Sequence, residues 1–474
     1  MSPIYNGART ANANSAQKPI AQSTNSSMIK RVTLLLMLAA FVGLPAEAQA
    51  NKPKNVILMI SDGCGPATFT LARDYQRFSG GGDALHLDAY LVGNARTWAS
   101  DARVTDSAAG ATAFSAGVKT YNGAIAVDTL RRPVATLLEA AEAEGKVTGL
   151  VATSRITHAT PASFAAHVPN RAMEDVIALQ MIRSGVDVVI GGGAQHFLPR
   201  SEGGRRTDNQ NLFERLSTSG AQVTRSRAGF DAAEGMPFWS LFTASHMAYE
   251  VDRSNTEEPS LAEMTEKAIA LLSQEEAGFF LMVEGSRIDH AGHGNDLAGH
   301  IHDALAYDAA WNVAQTFAEQ NGETLVISVS DHETGGLSLG RDGVYNWYPE
   351  HVDAVTATIE GFRNQLGDTV PSMSLLDETF SLDGMGAEEQ EILTGYLEEG
   401  DTDSALSLVN KFTSKRAGIA WTTSGHTAVD VNLYAFGPTS DQFAGSHDNA
   451  AVGRMLAHVM GYDLEALTTT LRGN

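Results

Sequence analysis

Carboxylates and imidazoles follow or precede apolar runs at four places in the chain. Asp62 follows VILMI (56–60). Glu284, Asp289, His290 and His293 lie in or just after FFLMVEG (279–285). Asp331 and His332 close or follow TLVISVS (324–330), and His426 precedes NLYAFG (432–437). These are the donor types that bind divalent cations. Asp289 and His293 are four residues apart, so one helical turn would aim both at a single ion. His426 would complete a three-ligand set with an open position, the pattern of a catalytic zinc. Asp62, Asp331 and His332 could hold a second ion. Two cations about 4 Å apart form a recurring clamp for in-line phosphoryl displacement. Any one of these residues alone is an ordinary solvated or core residue; the argument rests on their joint placement.

Two side chains could be nucleophiles. In ARVTDSAAGATAFSAGVKT (102–120), Thr105 or Asp106 can cap a helix that opens at Ser107. A serine there meets unpaired N–H groups and the positive end of the helix dipole, which suits a phosphorylated intermediate. The alternative is that Ser107 belongs only to the cap. Cys64, the sole cysteine, stands in a stretch like C-x-P-x-R of sulfatases, but Thr68 replaces the arginine. It reads as a small buried hydrophobe.

The apolar runs themselves are the elements that must bring these groups together. Runs at 56–60, 147–153, 186–193, 279–285, 324–331 and 432–437 read as buried strands. Helical periodicity fills 131–145, 261–274 and 297–319. The alternation predicts an α/β fold: a three-layer sandwich with a mostly parallel central sheet and helices on both faces. Ligand chemistry in such sheets sits at the carboxyl ends of strands, where Asp62 lies. Residues 198–245 and 337–422 fit the rhythm poorly. Both read as insertions on one domain spanning 51–474, the second as a crown-like region over the site.

The formal charge is −23 over 474 residues. Such a surface repels nucleic acid and anionic membranes, so neither is an expected partner, and a phosphate site needs locally concentrated cations. From Met28, a basic start, an apolar stretch over 32–44 and small residues at Ala48 and Ala50 read as a secretory leader. Residues 1–50 are therefore an N-terminal extension and signal peptide, and the protein is expected to be periplasmic or secreted, with no later membrane anchor.

The motifs SDG, TDSAAGATAFSAGVKT, THATPASFAAHVPNR, VEGSRIDHAGH, SDHETGG and SGHT occur in the order found in alkaline phosphatases. The chain resembles a secreted bacterial member of that family. The resemblance implies hydrolysis of phosphate monoesters through a phosphorylated Ser107, releasing inorganic phosphate and an alcohol. It implies two Zn²⁺ and one Mg²⁺ per chain. Asp289, His293 and His426 would hold one zinc. Asp62, Asp331 and His332 would hold the other, lowering the pKa of the Ser107 hydroxyl. Asp62, Thr160 and Glu284 would bind magnesium, and Arg171 would grip two phosphate oxygens. His158 and His290 stand where some bacterial members have aspartate and lysine; they would line the magnesium side. Dimers are common among similar proteins, and the resemblance leaves a homodimer open. The rivals are a phosphodiesterase or sulfatase of related architecture and a catalytically silent metal-binding protein.

Overall fold

The computed structural model describes residues 52–473; the expected leader lies outside them. Among the described residues, fourteen strands run in chain order: β1 Asn55–Ile60, β2 Leu91–Arg96, β3 Val147–Arg155, β4 Val188–Gly192, β5 Gln222–Thr224, β6 Phe238–Leu241, β7 Phe279–Glu284, β8 Thr324–Val329, β9 Glu333–Thr334, β10 Leu337–Leu339, β11 Ile419–Trp421, β12 His426–Thr427, β13 Val431–Phe436 and β14 Gly445–Asp448. Ten form one sheet in the order β14-β2-β13-β8-β1-β7-β3-β4-β6-β5. All its pairings are parallel except those of β13, which is antiparallel to β2 and β8.

The uninterrupted apolar strands are buried on both faces because helices cover both. Val56, Leu58 and Ile60 point to one layer, with Phe114, Leu137, Phe164 and Leu456. Ile57 and Met59 point to the other, with Phe69, Leu261, Leu272 and Trp311. The first layer holds the helices Ser107–Ala116, Leu137–Ala143, Ala159–Ala165 and Asn449–Met460; the second holds Pro66–Phe78, Leu261–Leu272 and Leu297–Asn321. This is the expected three-layer sandwich. The helix expected from residue 131 opens only at Leu137, where Thr136 and Glu139 form a reciprocal capping box.

The two stretches that broke the rhythm behave differently. Residues 198–245 contain β5 and β6, which hydrogen-bond into the main sheet beyond β4. This stretch extends the framework, contrary to the expectation of an insertion. Its strands were obscure because they are only three and four residues long, between Gly- and Arg-rich turns. Residues 337–422 instead build a separate core. Val352, Phe362, Leu376, Phe380, Leu406 and Phe412 pack there against Leu71, Tyr75, Leu297 and Ile301 of the framework helices. No helix among the described residues is long and apolar enough to cross a membrane.

Parallel pairing puts the carboxyl ends of β1, β7, β8 and β3 on one rim. Asp62, Glu284, Asp331 and the segment leading to Thr160 arrive there. Two glycines set the spacing above that rim. Gly63 has φ +75°, and a Cβ on it would lie 2.6 Å from the Asp289 Cα. A Cβ on Gly110 would lie 2.9 Å from the Asp331 Cβ. Gly110 thus lets the helix carrying Ser107 settle directly on Asp331.

Candidate active site

Asp62, Asp331 and His332 meet beneath the rim, all fully buried. His332 Nε2 lies 3.3 Å from Asp331 Oδ2 and 3.6 Å from Asp62 Oδ1. Its tautomer follows from its neighbours. The Thr334 hydroxyl donates to Asp289 Oδ1 at 2.6 Å, so it accepts from His332 Nδ1 at 3.2 Å. The proton is on Nδ1, and Nε2 presents a lone pair. Ser107 Oγ is 3.2 Å from that same Nε2.

Asp289, His293 and His426 form a second triad toward solvent. Asp289 and His293 share the helix Arg287–Gly294. His426 arrives from far along the chain because β12 pairs with β9, setting His426 opposite Thr334. His426 Nδ1 donates to the Thr105 carbonyl at 2.8 Å, and His293 Nδ1 donates to the Ser424 carbonyl at 2.6 Å. Both Nε2 atoms therefore carry lone pairs, yet they face each other at 3.1 Å. Asp289 oxygens lie 3.4 and 3.6 Å from them. Acceptors that close repel unless a proton or cation lies between. The His332 and His426 rings stack with centroids 3.5 Å apart, joining the two triads.

A third group adjoins the first. Asp62, Glu284 and His158 offer ligand atoms within 4.8 Å of one another, and Thr160 is fully buried beside Glu284. Here the buried polar atoms lack partners: both Asp62 oxygens, Glu284 Oε1, Thr160 Oγ1, His158 Nδ1 and, nearby, Asp331 Oδ2. The unpartnered carboxylate oxygens of Asp62, Glu284 and Asp331 are costly in one place unless a cation satisfies them. Burial, then repulsion by Asp331, Asp289 and Glu284, pushes the Asp62 carboxyl well above the usual range. Burial chiefly pushes Glu284 and Asp331 up to about 7. Burial, then His426 and His293, pushes His332 far down, which keeps it neutral. The donor set fits divalent cations: hard carboxylate oxygens with neutral imidazoles.

Ser107 opens its helix as its first residue. Of the two candidate caps, Asp106 is the N-cap; its side chain accepts from Ala109 N. Arg171 is held by two partners: Nη1 donates to Asp106 Oδ2 at 3.1 Å and Nη2 to His158 Nε2 at 2.9 Å. His290 Nδ1 accepts from Arg287 Nη1 at 2.8 Å. Burial drives His158 and His290 well below the usual histidine range. A third imidazole, His246, packs with ring centroids 5.5 Å from His158 and 4.3 Å from His290. Sequence reasoning missed it. Its signal was a histidine just past FWSLF, where another parallel strand reaches the same rim.

All twelve residues expected at the site thus lie on this one rim. Cys64 does not join them chemically. It is fully buried, burial drives its thiol far up, and its sulfur lies 3.9 Å from the Gly65 carbonyl.

A family model described as alkaline phosphatase matches residues 53–462. Alkaline phosphatase 3 of Bacillus subtilis is 37% identical, aligned over 89% of this chain and 93% of its own. The repressible alkaline phosphatase of Saccharomyces cerevisiae is 37% identical over 93% and 87%. The crystal structure of a cold-active alkaline phosphatase from a psychrophilic Shewanella sp. superposes with a TM-score of 0.78 at 33% identity, covering 85% of this chain and 99% of that one. Matches of this extent show that the chain belongs to the alkaline phosphatase family and is a phosphoric monoester hydrolase.

Proposed function

We propose that the chain cleaves phosphate monoesters at alkaline pH through a covalent phosphoserine on Ser107. The observation that carries this reading is the hydroxyl of Ser107, 3.2 Å from a histidine lone pair, at the seam of two carboxylate–imidazole triads. Asp289, His293 and His426 would hold one zinc; Asp62, Asp331 and His332 would hold a second; Asp62, Thr160 and Glu284 would hold magnesium. Bound there, the ions supply Lewis-acid polarisation of the ester and lower the pKa of nearby hydroxyls.

Ser107 Oγ, its proton released to solvent water, forms a bond to phosphorus as the bond to the alkyl oxygen breaks. The departing alkoxide takes a proton from water. Water then attacks the phosphoserine in line and restores the serine. The Arg171 fork grips two equatorial phosphoryl oxygens and stabilises their charge in the transition state. Asp106 both caps the nucleophile's helix and holds that fork, so it sets their mutual position. His158 and His290 are neutral at working pH and can only donate or accept hydrogen bonds. Activity rises with pH because the attacking hydroxyl must lose its proton. In the same reading the protein is exported to the periplasm or the medium.

The test compares nitrophenyl phosphate with its bis-ester in the wild type and in Ser107→Ala. A preference for the monoester, abolished in Ser107→Ala, supports the reading. Preference for the bis-ester, or undiminished turnover without Ser107, overturns it.

A further inference from the structure

Beside the solvent-facing triad lies a groove of about 530 Å³. His293 forms one wall. Asn410, Lys411 and Lys415 of the helix Thr402–Arg416, with Arg341 and Trp421, form others. These walls contain no carboxylate. That is unusual in a chain with 56 acidic and 33 basic residues. The adjoining cavity, which shares Gly294, carries Asp296, Glu360 and Asp403. The one sharing Arg341 carries Asp74 and Asp342. Lysine is scarce throughout, yet two of the chain's nine lysines line this groove. Lys411 has no ion-pair partner among the described residues. Lys415 and Arg341 pair at 2.8 Å with Glu389 and Asp342, neither of which lines the groove.

Position gives this charge a use. In-line displacement places the departing oxygen opposite the attacking one. Ser107 faces the buried triad through His332, so the departing group faces the open triad. The exposed member of that triad, His293, is also the groove wall. We infer that the groove is the subsite for the alcohol half of the substrate and favours monoesters whose alcohol carries a second anionic group. The inference rests on the catalytic reading above. Such a substrate is repelled by the acidic surface at long range but meets cations at the groove. A six-carbon chain fits its volume, with Trp421 as an apolar wall and Asn410 as a hydrogen-bonding one.

The probes are sorbitol 6-phosphate and 6-phosphogluconate. They share a linear six-carbon skeleton and differ at C1, a hydroxymethyl in one and a carboxylate in the other. The expected ratio of kcat/KM, 6-phosphogluconate over sorbitol 6-phosphate, exceeds one at low salt. It falls roughly 3- to 10-fold in the double variant Lys411→Gln, Lys415→Gln, mostly through KM, as loss of two partly exposed charge contacts requires. The double variant Lys411→Arg, Lys415→Arg restores it. A wild-type ratio below one, or a ratio the glutamine substitutions leave unmoved, overturns the groove assignment while hydrolysis of both esters persists. If the wild type hydrolyses neither ester, the catalytic reading fails and the groove assignment falls with it.

Discussion

The two triads use the same residue types and differ in burial. Asp62, Asp331 and His332 are sealed beneath the helix of Ser107, with no exposed surface. Asp289 is nearly as buried, but the His293 side chain is 42% exposed. A sealed site in low dielectric holds its cation tightly and keeps the adjacent hydroxyl dry. An open site exchanges its cation and admits the leaving group and water. In the proposed mechanism the two halves of one displacement are divided between a closed pocket and an open one.

That contrast breaks most sharply by mutation. Asp331→Asn should lower kcat/KM on the order of 10³-fold, about 4 kcal/mol of transition-state stabilisation. His293→Asn should cost only about 10- to 100-fold and recover in part with added zinc. Equal losses with no recovery would erase the distinction. Gly110→Ala tests the seal itself. The new Cβ meets Asp331 at 2.9 Å, so helix and rim must separate. A shift of about 1 Å near the reacting atoms should cost up to roughly 10²-fold in kcat. Unchanged kinetics would show that the close approach does not matter.

Chelation probes the buried half through pH. Without a cation, Asp331 and Glu284 titrate near about 7 because burial disfavours their charge, against about 4 when unfolded. The folded chain then binds more protons across that window, so its stability falls as pH rises from about 4 to 7. The chelated protein should melt higher at pH 5 than at pH 8.5. Zinc and magnesium should reverse the order, since they bind deprotonated carboxylates. A chelated protein more stable at pH 8.5 would contradict the assignment of those buried groups. The smallest expected effect is that of Cys64→Ala. It should cost about 1 kcal/mol of stability through lost packing and leave kcat/KM within about twofold; a large kinetic loss would mean the thiol takes part.

Much of this was legible in the sequence where local chemistry repeats. Buried parallel strands announce themselves as unbroken apolar runs, and Asp62, Glu284 and Asp331 sit where those runs end. Asp289 and His293 show one-turn spacing, and Asp106 shows its cap. The order of the motifs supplied the rest of the expected residues. What stayed hidden depends on partners distant in sequence. β5 and β6 gain their identity from pairing with β4, not from their own three or four residues. His246 follows the short run FWSLF, but that run shows itself as a strand reaching the rim only through β6 pairing with β4, which brings His246 against His158 and His290. The acid-free groove is assembled from 293, 341 and the stretch 410–421, and no single stretch shows it.

The central claim is that Ser107 carries the phosphoryl group between the two triads. The direct measurement is acid quenching of the metal-loaded enzyme during turnover, followed by peptide mass mapping. The account predicts phosphate on the peptide containing Ser107, absent from Ser107→Ala. Phosphate on another residue, or turnover with none trapped at any quench time, would contradict it.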